Sequence, residues 1–166
     1  MKDLIFIGGA KGIGKSTIID LLMNQVKINV INTGELVFEA RKLNQDVESR
    51  ISDYLMGDFK GIVDTHYAGG LYNKSFPRGL SKDNLLKIAK HKSIDLILLE
   101  TDEEILINRR KLGKPERYHD PEVIHLELEM SRIYFKQYCN ELSISGLIIN
   151  NLYPEKTVSD IMRRIK

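Results

Sequence analysis

Only one cysteine, Cys139, occurs in the 166 residues. An internal disulfide is therefore excluded, a reducing compartment fits, and Cys139 itself is expected to be a buried bystander. Long apolar runs are missing too. No stretch approaches the roughly 18 residues of a membrane-spanning helix, and the opening "MKDLIFIGG" has too short an apolar core for a signal peptide. No membrane partner is expected, and a cytoplasmic location follows. Neither sign of charge is in excess: 25 Lys and Arg stand against 23 Asp and Glu, a formal net charge of +2. That balance gives no broad electrostatic footing for a nucleic-acid partner, although "RRKLGKPER", Arg109 to Arg117, is locally basic. Repeats, low-complexity tracts and obvious linkers are also lacking. What remains, 42% hydrophobic and 29% charged, reads as one globular domain over residues 1–166.

Short apolar runs alternate with longer helical patterns, the signature of βαβ units. "DLIFI", "INVIN", "GIVDT", "IDLILLE" and "GLIIN" read as five strands, apolar enough to be covered on both faces as parallel strands are. Lys15 to Val26 carries Ile18, Ile19, Leu22 and Met23 at spacings that mark one helical face. Asp120 then Pro121 supplies an N-cap and a first-turn proline for a long helix through Ile124, Leu128, Tyr134, Phe135 and Tyr138, and Pro154 opens the last helix similarly. Right-handed crossovers place the loops after the strands along one sheet edge, where ligands of open α/β folds bind.

The stretch "GGAKGIGKST", Gly8 to Thr17, lies on that edge. Gly9, Gly14, Lys15 and Ser16 satisfy G-x-x-x-x-G-K-[ST] between a predicted strand and a predicted helix, the context a P-loop requires. Glycines tolerate positive φ, so successive amides can turn inward around phosphate oxygens, and the helix N-terminus adds its positive end. Gly9, Ala10, Lys11, Gly12, Ile13, Gly14, Lys15, Ser16 and Thr17 are therefore the candidate nucleotide-binding residues. Lys15 is expected to reach the β and γ phosphates and the Ser16 hydroxyl to ligate Mg²⁺, while Thr17 plays a more structural part.

A P-loop alone does not separate a switch, a motor and a kinase. Asp64 in "GIVDTH" ends a predicted strand on the same edge, where its carboxylate can hold Mg²⁺ through water or orient an acceptor. His66 is a weaker candidate for an acceptor contact, because phosphoryl transfer needs positioning more than a general base. "RRKLGKPERYHD", following the helical pattern "DEEILIN" and containing Gly113 and Pro115, reads as a lid over about residues 109–120. Guanidinium groups on such a lid suit dispersed phosphate charge, and closure would exclude water from the transferring group.

These motifs together resemble the archaeal-type adenylate kinases, a branch of the P-loop nucleoside monophosphate kinases, along nearly the whole chain. After the P-loop, Asn32, Gly34, Phe38 and Glu39 match an Asn-x-Gly-x-x-x-Phe-Glu stretch. Asp64, Thr65 and His66 match Asp-Thr-His; "LLETDEEILINRR" matches a strand ending in Glu-Thr and the helix before the lid; Arg117 matches the lid's closing arginine. Arg132 in "EMSR" matches an arginine in a Met-Asn-Arg context. The resemblance implies a P-loop NTPase three-layer sandwich, a five-stranded parallel sheet with helices on both faces and a short lid. It implies transfer of the γ-phosphoryl group from Mg·ATP to AMP, giving two ADP. Lys15 would hold the donor, Ser16 and Asp64 (through water) Mg²⁺, and Arg117 and Arg132 the moving charge. Asn32, Gly34, Thr65 and His66 would face the acceptor, over a monophosphate-binding segment at about 33–58. A trimeric homo-oligomer is implied as well.

The departures fall on acceptor recognition. Between Glu39 and Gly61 the chain is shorter than the pattern, leaving Arg41, Arg50 and Arg78 as candidates for the acceptor phosphate, Arg78 through the "FPRGL" context. His119 stands where a second lid arginine is expected. Two other readings stay open: a kinase for another nucleoside monophosphate, and an adenylate-kinase-like ATPase acting with a ribosomal or RNA partner.

Overall fold

A computed structural model describes residues 2–71, 75–113, 118 and 120–165. In chain order the elements are β1 (Leu4–Gly8), α1 (Lys15–Met23), β2 (Asn29–Asn32), α2 (Thr33–Lys42), α3 (Val47–Met56), β3 (Gly61–Asp64), α4 (Lys82–Ala89), β4 (Ile94–Glu100), α5 (Glu103–Lys111), α6 (Pro121–Leu142), β5 (Leu147–Asn150) and α7 (Pro154–Ile165). The strands form one parallel sheet in the order β2-β3-β1-β4-β5. All five expected strands are present, with ends shifted by one residue or so.

Side chains alternate across a strand, and β1 shows what that does for the layers. Ile5 and Ile7 face a core with Ile18 and Leu22 of α1, Leu106 of α5 and Val158 and Ile161 of α7. Leu4 and Phe6 face the opposite core with Leu55 of α3, Leu85 and Ile88 of α4, and Phe135 and Tyr138 of α6. Helices thus cover both faces. The expectation that every strand is doubly covered needs correction: β1 and β3 are buried throughout, whereas β2 and β5 keep exposed residues. Both lie at a sheet edge, where neighbours cover one side only.

Helix starts follow capping chemistry. Asp120 accepts from the Glu122 and Val123 amides with Pro121 in the first turn, as the sequence predicts. Helices α2, α3 and α4 are additions to the sequence reading; the side chains of Asn32, Asp46 and Ser81 cap them. The segment at 33–58 is thereby mostly α2 and α3. Helix α1 stops at Met23 rather than Val26, because the Gln25 and Val26 amides both turn back to the Leu22 carbonyl. Arg109 and Arg110, expected in the lid, belong to the last turn of α5, where basic residues complement the helix dipole. Cys139 is half-buried rather than buried.

Parallel register brings the strand ends together. Asn32 pairs with Asp64, Ile7 with Asp64 and Gly8 with Leu98, so the loops leaving β1, β2, β3 and β4 share one edge.

Candidate functional site

The loop from β1 to α1 is shaped by glycines that no other residue can replace without strain. Gly9 has φ +155° and a Cβ there would lie 2.5 Å from the Leu99 carbonyl oxygen; Gly14 has φ +99° and its Cβ would meet the Asn151 Nδ2 at 2.8 Å. Gly14 is also the N-cap of α1, and a glycine cap has no side chain to occupy the first amides. The positive end of the helix therefore opens towards whatever lies above it.

At that end is a cavity of about 330 Å³ lined by Lys11, Gly12, Gly14 to Thr17, Asn32, Asp64 and His66. Lys15 is 9% exposed and its Nζ donates to the Gly9 carbonyl at 3.3 Å, with both ring nitrogens of His66 at 3.5 Å. His66 Nδ1 stands 2.8 Å from the same carbonyl. A carbonyl only accepts, so Nδ1 carries the proton; the ammonium, equally far from both ring nitrogens, lies well off the Nε2 lone pair. Burial first, and the Lys15 charge second, push the imidazole pKa from 6.5 down to about 3. His66 is thus neutral at pH 7, a weak and replaceable partner for Lys15.

Asp64 is nearly buried, and its Oδ2 accepts from Asn32 Nδ2 at 2.8 Å. Burial raises its pKa above the ordinary aspartate value, against the lowering effect of Lys15 and Asn32. Asn32 spends its other atom on α2: Oδ1 accepts the Gly34 amide at 2.7 Å. Thr65 lies alongside, its hydroxyl 3.3 Å from that of Thr33. Asn32, Asp64 and His66 thus line the cavity together with the P-loop, His66 in direct contact with it, while Gly34 and Thr65 are bonded to Asn32 and Thr33 beside them.

Other predicted residues sit elsewhere. Arg132 forks onto Glu100 at the end of β4, with Nε and one terminal nitrogen each 2.8 Å from a carboxylate oxygen, in a neighbouring hollow with Thr101, His125 and Lys136. Arg78 is not brought to the cavity. Its guanidinium pairs with both Glu141 oxygens, donates to the Leu80 carbonyl at 2.5 Å and lies 4.3 Å from the Tyr138 ring centroid. Bidentate geometry and ring stacking hold it on α6. Arg41 and Arg50 are on α2 and α3, Arg50 pairing with Glu39 at 3.3 Å. Arg117 and His119 lie outside the described residues.

Sequence reasoning read Arg109 and Arg110 as lid residues and missed the group they form with Glu127 and Asn151 to hold the loop. Arg109 donates to the carbonyls of Ile13 (3.0 Å) and Asn151 (3.1 Å), and Asn151 Nδ2 donates to Ile13 at 2.9 Å. Arg110 Nε donates to the Lys11 carbonyl at 2.8 Å, while Glu127 accepts the Lys11 amide at 3.0 Å. One signal for Glu127 was legible: it stands on the inward stripe Ile124, Glu127, Ser131, Phe135, Tyr138, a carboxylate where apolar residues belong.

No protein-family model matches the chain. Two curated proteins match along nearly their whole length. An adenylate kinase of Thermoplasma volcanium is 30% identical over 182 residues, covering 96% of this chain and 98% of that one; the adenylate kinase of Thermoplasma acidophilum is 26% identical over 181 residues, covering 96% of each. Among solved structures, the YorR protein of Bacillus subtilis, in complex with phosphorylated GDP, superposes with a TM-score of 0.70 at 16% identity, covering 98% of this chain and 95% of that chain. Shikimate kinase of Acinetobacter baumannii, in complex with shikimate, gives 0.64 at 15% identity, covering 98% and 92%. These two likenesses establish the fold.

Proposed function

Because the chain belongs to the adenylate kinase family, we propose that it transfers the γ-phosphoryl group of Mg·ATP to a nucleoside monophosphate, AMP, forming two ADP. The observation that carries the reading is a shared cavity lined by Lys15 and Ser16 together with Asn32, Asp64 and His66. It joins an anion cradle to a carboxylate, Asp64, for the metal and to Asn32 and His66 for the acceptor side.

The residues present fit Mg·ATP. Ser16 and Asp64 offer oxygen donors, which a small hard cation prefers, and the glycine cradle with its open helix end suits phosphate oxygens. A divalent cation held there would supply charge neutralisation for the phosphates. The Ser16 hydroxyl would hold it directly and Asp64 through water. Lys15 would exchange the Gly9 carbonyl and neutral His66 for the terminal phosphates, a gain because charge-assisted bonds to phosphate are stronger than those it leaves. His66 then keeps Gly9 in place by its Nδ1–H bond. Asn32 aims Asp64, since the Nδ2 bond fixes one carboxylate oxygen and leaves the other for the site. Arg132, released from Glu100, and Arg117 would neutralise the moving phosphoryl, a role worth about a thousandfold or more in rate.

A coupled assay of ADP formation with Mg·ATP and each of AMP, CMP, UMP, GMP and dTMP tests the reading. ADP that depends on AMP supports it. Dependence on another monophosphate transfers the acceptor assignment, and ATP hydrolysis indifferent to every monophosphate but stimulated by RNA removes the kinase reading.

A further inference from the structure

Helix α6 places a carboxylate, Glu127, on a stripe otherwise turned to the core, and α5 answers with Arg110; their side chains are 3% and 0% exposed. Removing two charges from water is costly, and apolar residues of similar volume commonly pack as well or better. Stability alone therefore gives little reason for the pair. Its remaining bonds give another. Glu127 uses one oxygen on Arg110 at 2.6 Å and the other on the Lys11 amide at 3.0 Å; Arg110 gives Nε to the Lys11 carbonyl at 2.8 Å and a terminal nitrogen to the Tyr118 carbonyl at 3.3 Å.

Both backbone polar groups of one P-loop residue are thus held by one ion pair, from helices 99 and 116 residues away in sequence. Lys11 lies between Gly9, Gly12 and Gly14, all of positive φ; the Gly9 and Ile13 carbonyls on either side are held by His66, Arg109 and Asn151, and the ion pair holds the peptide groups of Lys11 between them. Together these bonds fix the peptide planes on both sides of Lys11.

Building on the kinase reading, we infer that Arg110 and Glu127 are positioning residues for the donor phosphates: they hold the Lys11 peptide so that the cradle is formed before the triphosphate arrives. Ordering done in the free protein is not charged to binding. Among the described residues, Asn32 and Asp64 bond to each other, to Gly34 and to Thr33 rather than to the pair.

The test titrates inorganic tripolyphosphate and Mg·ATP into the full chain, and measures KM for both substrates, in wild type, in the double variant Arg110→Met/Glu127→Leu, and in Arg110→Lys. The double variant should stay folded with a melting temperature near that of wild type, since the relief of two buried charges offsets the Lys11 and Tyr118 backbone groups it leaves unpaired. Its Kd for tripolyphosphate and its KM for ATP should rise about tenfold, and the KM for monophosphate should stay within about twofold. Arg110→Lys keeps the charge beside Glu127 but cannot fork, so a rise of about threefold is expected; it decides the matter should the double variant not fold. Unchanged tripolyphosphate affinity in the folded variants overturns the inference while leaving the kinase reading intact. Wild type that binds neither probe overturns both.

Discussion

Acid should weaken this protein through His66, by an amount the surroundings of the ring set. The imidazole meets Lys15 at 3.5 Å, gives its one proton to the Gly9 carbonyl at 2.8 Å and also feels Lys11 and Arg110. Its folded pKa is about 3 against 6.5 in an ordinary setting. The folded value is depressed, so the contribution to stability is complete above pH 6.5 and is lost as the pH falls from there towards 3, because the unfolded chain takes up a proton that the folded one refuses. With both values in the linkage relation, the loss reaches about 2 kcal/mol by pH 5, an upper figure since Lys15 can swing aside. Asp64 acts oppositely: its folded pKa is raised by burial, so acid relieves rather than harms it. Subtraction removes that background. Urea unfolding of wild type and His66→Gln across pH 7.5 to pH 4.5 gives the difference in stability at each pH, and glutamine retains an N–H for Gly9 without titrating. The wild-type advantage should shrink steadily below pH 6.5. A difference that stays flat through that window means the ring protonates freely in the folded state, and the neutral pairing of His66 with Lys15 is wrong.

Asp64→Asn should leave the thermal midpoint of the free protein equal or higher, since the amide still accepts from Asn32 and no buried carboxylate must ionise, while the rate of phosphoryl transfer falls about a hundredfold or more; melting curves with steady-state kinetics check both halves. Arg132→Met breaks an ion pair with Glu100 whose arginine side is 55% exposed, so stability should change by under about 1 kcal/mol, while turnover falls about a thousandfold; equal loss of both would place Arg132 among structural residues.

The parts of this site that were legible in the sequence are those whose physics is local. A run of glycines and a lysine before a helical pattern states its own backbone, because φ above zero belongs to glycine and a helix start offers bare amides; the structure has both at Gly14. Asp64 was legible for a similar reason, as a charge ending an apolar strand. The three missed helices were short, yet each carried a local signal in its cap, at Asn32, Asp46 and Ser81. What escaped depends on partners far along the chain. "FPRGL" looks like an anion-binding arginine until Glu141, 63 residues later, takes both arms of its fork. Edge placement of β2 and β5 follows from the strand order, which no single run of residues declares. The P-loop itself divides along this line. Its residues specify which amides can meet a phosphate, but glycine freedom that permits the cradle also permits its loss. Rigidity must then come from side chains able to reach the loop; among the described residues these include His66, 57 residues from the Gly9 carbonyl it binds, and Arg109, Arg110, Glu127 and Asn151, each 96 residues or more from the carbonyl or amide it binds. A loop of the same composition without such anchors would bind phosphate only after ordering itself, at the expense of affinity.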